Sequence, residues 1–131
     1  MPINLGYGMG MHEVAVVGAM IYFSVFGSVF VFRPEMIDRL GLTWTNPAGR
    51  TEVRCYYGAL SWALAIFLGY LLSEDLAAQA LTGVLILASA VFIARLVGTL
   101  VDGGVWETYN RQALPIEAAF VVVLTVLRVA G

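Results

Sequence analysis

Residues Val14–Phe32 read VAVVGAMIYFSVFGSVFVF, nineteen positions without a charged side chain. An α-helix rises 1.5 Å per residue, so crossing a hydrocarbon core of about 30 Å takes about 20 apolar residues. The run fits a bilayer-spanning helix. It is continuous rather than alternating, which disfavours a barrel strand. Ser24, Gly27 and Ser28 add a small-residue stripe of the kind that lets helices approach closely in lipid. Arg33-Pro34 closes the run, because the residue before a proline is steered out of the helical region.

Two more runs of nineteen follow: Cys55–Ser73 (CYYGALSWALAIFLGYLLS) and Leu76–Ala94 (LAAQALTGVLILASAVFIA). The short acidic link Glu74-Asp75 makes them antiparallel neighbours. Ala90, Ala94 and Gly98 form a second small-residue face. The last segment, Gln112–Leu127, is weaker, since only the ten residues Ala118–Leu127 are free of charge. A crossing there must take in Glu117, run on to Gly131, or both. Pro115 suits a first helical position, where its missing N–H is no loss. The expected fold class is an all-α integral membrane protein, a four-transmembrane-helix bundle. It forms one domain over 1–131, with spans at about 14–32, 55–73, 76–98 and 113–129.

Composition points the same way. The chain is 60% hydrophobic and 12% charged over 131 residues, where a soluble domain averages about 25% charged. That much apolar surface must be solvated by lipid. The net charge of −2 and the absence of a basic patch set nucleic acid aside as a partner. The single cysteine, Cys55, can form no intramolecular disulfide, and a small buried hydrophobe is its expected role. No Lys or Arg precedes the first run, so the positive region of a secretory signal is missing and the first span is expected to be retained.

The connections are read as follows. Met1–Met11 is glycine-rich and expected to be an irregular arm. Pro34–Leu42 suggests a short amphipathic surface helix presenting Met36, Ile37 and Leu40. Thr43–Glu52 reads as a turn around Asn46-Pro47, with Trp44 in the interfacial aromatic belt. Four spans place both termini on one side. The long-loop side holds Arg33, Arg39, Arg50, Arg54, Arg95 and Arg111, against Arg128 on the other. The positive-inside rule then predicts an inner (cytoplasmic) membrane protein with cytoplasmic long loops and outside termini.

The chemistry-bearing stretch is Arg95–Glu117 (RLVGTLVDGGVWETYNRQALPIE), with two arginines and the carboxylates Asp102, Glu107 and Glu117. Ionisable groups in or beside membrane spans are costly and call for partners. Arg95, Thr99 and Asp102 share one helical face, and Gly103-Gly104 is the expected stop. Glu52, Arg54 and Tyr57 fall at the same membrane side, with Tyr57 and Ser61 one and two turns along from Arg54. Two readings stay open. The acids are counter-ions to topogenic arginines, with Glu117 near the third position of its helix as a cap. Alternatively, Glu52, Arg54, Tyr57, Arg95, Asp102 and Glu117 make a polar cluster between spans two, three and four. No catalytic or metal-binding spacing is present and no cofactor is expected. His12, the lone histidine, is expected to be solvated.

The patterns E-x-R-x-x-Y-G at Glu52–Gly58 and A-R-L-V-G-x-x-V-D-G at Ala94–Gly103, followed by Glu117 in the last span, resemble a family of small bacterial four-span membrane proteins, domain of unknown function 4345. The resemblance covers nearly the whole chain and implies a four-helix membrane protein. Its matching positions are Glu52, Arg54, Tyr57, Gly58, Arg95, Gly98, Asp102, Gly103 and Glu117. Ala59 stands where the pattern leads us to expect a second glycine, implying looser helix contact there. It transfers no activity. The leading functional expectation is a non-enzymatic accessory or interaction subunit, partnered by the bilayer and by other membrane subunits or copies of itself. The alternative is a binding protein, carrier or enzyme for a lipophilic small molecule such as a quinone, isoprenoid or lipid, gripped by the Arg/Glu cluster.

Overall fold

The computed structural model describes residues 10–104 and 107–130, and every regular element among them is helical. In chain order they are α1 (Met11–Phe32), a 3-10 segment (Pro34–Leu40), α2 (Pro47–Val53), a π-helical turn (Arg54–Ala59), α3 (Leu60–Ser73), α4 (Ala77–Asp102) and α5 (Thr108–Ala130). Four helices are long and apolar enough to cross a membrane: Met11–Phe32, the continuous Pro47–Ser73, Ala77–Asp102 and Thr108–Ala130. The protein is a helical membrane bundle.

The helix boundaries differ from the sequence expectation where local chemistry outweighs hydropathy. Pro34–Leu40 winds as a 3-10 segment rather than an α-helix and buries Ile37 completely. Asn46 does not simply turn the chain. Its Oδ1 accepts from the N–H groups of Ala48 and Gly49, and Pro47 occupies the first helical position. Span two therefore starts eight residues before Cys55, and Glu52 rides on its first turns. The helix of span three runs to Asp102 and stops at Gly103, whose left-handed φ of 78° only glycine adopts freely. The last helix starts at Thr108, so Pro115 lies in its interior. Cys55 is exposed, not buried. Ala59 also faces outward, so its methyl group loosens no helix contact. The expected arm lies outside the described residues, save Gly10 and Met11.

The two ends of the bundle are built differently. At the termini end all four helices meet. Val16 of α1, Leu68 and Leu72 of α3, and Ala77, Ala80 and Leu81 of α4 form the core, with Leu124 and Leu127 of α5 packed on it. A polar latch sits there too: Arg128 Nε donates to Thr82 Oγ1 at 2.7 Å, and His12 Nε2 lies 3.3 Å from the Arg128 carbonyl oxygen. Toward the long loops, burial separates into two pairs. In one, α1 crosses the π-helical turn at Gly27 and Gly58. A Cβ on Gly58 would stand 2.5 Å from Val31 Cγ2, and one on Gly27 would stand 2.8 Å from the Gly58 carbonyl oxygen. Trp62 Nε1 donates across this contact to Ser28 Oγ at 3.1 Å. In the other pair α4 packs on α5, burying Thr99 and Ala113.

Candidate functional site

Arg95 lies seven residues before the end of α4 and Glu117 nine residues after the start of α5, which is about 10 Å and 14 Å along their helices. The two helices are antiparallel neighbours, so these depths coincide. Arg95 Nε donates to Glu117 Oε1 at 2.6 Å. The two side chains keep only 23% and 22% of their surface exposed. Helix α4, at 26 residues, is about 39 Å long against a hydrocarbon core of about 30 Å. Centred, it holds Arg95 about 6 Å inside the boundary. An arginine and a glutamate there suppress each other's cost by pairing, which is the arrangement lipid demands of charges it cannot hydrate.

Two phenols complete the surroundings. The Arg95 guanidinium carbon sits 4.9 Å from the centre of the Tyr109 ring, a cation–π contact. Tyr22 of α1 lies within electrostatic range of Arg95, Glu117 and Tyr109. Tyr22 also begins an aromatic ladder along α1. Its ring stacks on Phe26 at 5.8 Å, Phe26 meets Phe30 at 4.8 Å, and Phe30 meets Tyr57 of the π-helical turn at 5.8 Å. Tyr22, Phe26 and Phe30, with Ile21, Val25 and Val29, line an open, wholly apolar groove of about 470 Å³. A second, smaller cavity of about 200 Å³ opens on the long-loop side of Arg95, lined by Gly98, Thr99, Asp102, Gly104 and Asn110. Asn110 Nδ2 donates to the Gly104 carbonyl at 2.9 Å and holds the entry to α5 against the end of α4.

All of these groups fall within a single family match, since the profile described as Domain of unknown function (DUF4345) covers residues 11–128. The chain belongs to the DUF4345 family. No curated protein and no solved structure matches it.

In this DUF4345 protein the six candidate positions fall into two groups. Arg95 and Glu117 are bonded to each other, and Asp102 lines the small cavity beside Arg95. Arg54 instead donates to the backbone carbonyl of Val31 on α1. Tyr57 packs on Phe30, and its carbonyl accepts from Ser61 Oγ at 3.0 Å. Glu52 is exposed on α2. No hydrogen bond or ion pair among the described residues joins these two groups. The cap reading of Glu117 fails on geometry, because α5 begins nine residues earlier and carries the carboxylate deep along its length. No three of the described His, Cys, Asp and Glu residues converge as a metal site.

Sequence reasoning missed Tyr109 and Tyr22. Tyr109 had a usable signal: Tyr109, Ala113 and Glu117 recur every four residues, which is one face of a helix. The expected helix start at residue 113 hid it. Tyr22 carried no signal, being one aromatic among many in an apolar run. Chemically the arrangement offers a guanidinium donor, a carboxylate acceptor and two phenols, of which Tyr22 also lines an apolar groove. It can orient and hold a polar group. It presents no activated nucleophile.

Proposed function

We propose that this protein is an intramembrane binding protein for a lipophilic small molecule with a polar head, held at Arg95 and Glu117 with its apolar part along α1. The observation that carries the proposal is the placement of the Arg95–Glu117 pair. It sits inside the bundle's membrane zone, within electrostatic range of Tyr22, which lines the apolar groove. An apolar site of a few hundred Å³ with a few convergent polar groups is the usual form of a small-molecule site. Intramembrane ionisable pairs mark such sites more often than they mark plain surface. The orientation that accompanies this reading is long loops in the cytoplasm and both termini outside an inner membrane, from the arginine distribution. The test is purification in mild detergent, organic extraction and mass spectrometry. One lipophile recovered in near-stoichiometric amount supports the reading. Its loss in Arg95→Leu/Glu117→Leu, which removes both charges together, locates it. A protein that carries no lipophile and binds none saturably refutes the reading.

A second reading, an accessory subunit of a larger membrane assembly, is favoured by a different face. Ala90 and Ala94 of α4 are exposed, and beyond Gly83 and Gly18 no atom lies within 4 Å of a built Cβ. Small outward residues admit a close neighbouring helix. Cysteine at position 83 cross-linking to one defined partner in native membranes would support it, and labelling by lipid-soluble reagents alone would count against it.

A further inference from the structure

We infer that the groove along α1 takes a neutral amphiphile with a flat, carbonyl- or hydroxyl-bearing head, of the quinone class, in preference to a lipid with a charged head. The inference rests on the small-molecule reading above and narrows it by charge, shape and hydrogen-bonding capacity.

Charge comes first. Arg95 and Glu117 neutralise each other at 2.6 Å. A phosphate or carboxylate head would find the Arg95 charge already neutralised and would face Glu117. On the long-loop side of Arg95 the cavity is lined by Asp102 and the carbonyl-rich end of α4, both negative in sign. A quaternary ammonium head would face the Arg95 guanidinium, whose side chain is three-quarters removed from solvent. Asp102 could offset that only weakly, because it is exposed and screened. A net-neutral pair in a medium of low dielectric leaves an added charge unpaired, which is costly for either sign. A neutral polar head avoids that cost.

The hydrogen-bonding set then selects among neutral heads. Arg95 donates, Glu117 accepts, and the Tyr22 and Tyr109 hydroxyls do both. Carbonyl oxygens and hydroxyls are therefore both served, which is what a quinone and its reduced form present in turn. Shape agrees. Tyr22 and Phe26 stack within 27° of parallel and the groove runs along α1 between Ile21 and Phe30, offering aromatic faces to a planar ring and an apolar track to its tail.

The experiment uses the whole protein in nanodiscs of zwitterionic lipid. The probe is a benzoquinone carrying a ten-carbon tail, read by saturable quenching of tryptophan fluorescence. Dodecyl phosphate and dodecyltrimethylammonium serve as charged competitors. The quinone should bind at least about tenfold tighter than either charged probe. Val25→Phe narrows the groove at a lipid-exposed position that leaves the core untouched, and should weaken the quinone at least about fivefold. Tyr22→Phe should weaken it about two- to tenfold, the share of one hydrogen bond. A charged probe that binds as tightly as the quinone overturns this inference and leaves the small-molecule reading standing. Unchanged quinone affinity in Val25→Phe overturns the assignment to the α1 groove. Saturable binding by none of the three probes, in a preparation that also carries no extracted lipophile, overturns both.

Discussion

Replacing Arg95 and Glu117 with leucine, singly and together, tests whether the pair is a unit. In Arg95→Leu the Glu117 carboxylate keeps its depth and loses its only ion-pair partner among the described residues. A charge at the bilayer centre costs about 2.5–3.5 kcal/mol on insertion scales. The pair sits nearer the boundary, with roughly a quarter of each side chain exposed, so we expect about 2 kcal/mol for each single change. That is about a thirty-fold shift in the folding equilibrium. The double variant exchanges the pair for two side chains that lipid solvates well, and should lie within about 1 kcal/mol of wild type. The coupling energy is then about 3 kcal/mol or more, at or above the upper end for contacting residues. Reversible unfolding in mixed detergent and dodecyl sulfate micelles, followed by circular dichroism, measures all four corners of the cycle. Two results would refute the reasoning. Either the singles lie within about 0.5 kcal/mol of wild type, or the double equals their sum.

The same assay serves three other positions, and a fusion tests orientation. Gly58→Ala forces a methyl group against Val31 Cγ2 and its backbone nitrogen, and should cost about 1–3 kcal/mol. Gly83→Ala meets nothing within 4 Å, so it should be neutral or stabilising by up to about 1 kcal/mol. Thr82→Val removes the acceptor of Arg128 at 2.7 Å and should cost about 1–3 kcal/mol, because it orphans a charged donor. Alkaline phosphatase fused after Gly131 should be active in cells if the termini face outward, and a fusion in the 42–46 connection should be inactive. The reverse pattern inverts the proposed topology.

Three of the four spans were legible because lipid imposes a crude requirement, about twenty uncharged residues, that nineteen-residue runs meet on their own. The chain stops at Pro34 and Gly103 were legible for the same kind of reason: a backbone geometry that one residue type dictates. The fourth span was misplaced at its start. Pro115 was read as a first helical position because it lacks an N–H. In the structure the cost of that lack falls on the carbonyl of Arg111, four residues back, which lies at the exposed end of α5 where water can reach it. A proline is tolerated inside a membrane helix when the orphaned carbonyl is near the interface, and hydropathy does not carry that information. The partner of Arg54 was equally hidden. Arginines near membranes are matched by eye to carboxylates, but the guanidinium here is satisfied by the Val31 carbonyl, and a carbonyl has no signature in sequence. The π-helical turn that aims Arg54 at α1 was also silent, since its residues are ordinary helix formers. Those two omissions are why a single cluster was expected where two separate groups are found.

The separation has a consequence for where activity can reside. Helices in lipid gain nothing from apolar burial against one another, so they stay together through close packing and polar contacts. At the termini end this bundle has both: small residues Ala77 and Ala80 in the core, and the Arg128–Thr82 latch. At the long-loop end each pair of helices has its own fastening. Gly27 against Gly58, with Arg54 on Val31, holds α1 to the second span, and Arg95 on Glu117 holds α4 to α5. Nothing comparable joins one pair to the other among the described residues. A ligand can enter there without breaking the core. The polar pair that fastens α4 to α5 is the pair whose depth the sequence could not fix. Glu117 is therefore both the fastening of α4 to α5 and a carboxylate within electrostatic range of Tyr22 in the groove. A ligand that competes for the carboxylate must loosen that fastening. Binding at this site should thus change the packing of α4 on α5 more than that of α1 on α3. Cross-linking rates between cysteines placed at 98 and 113, compared with those between 24 and 62, would show which contact moves when the quinone probe is added. Equal changes at both would mean that the ligand acts on the bundle as a whole and not through Glu117.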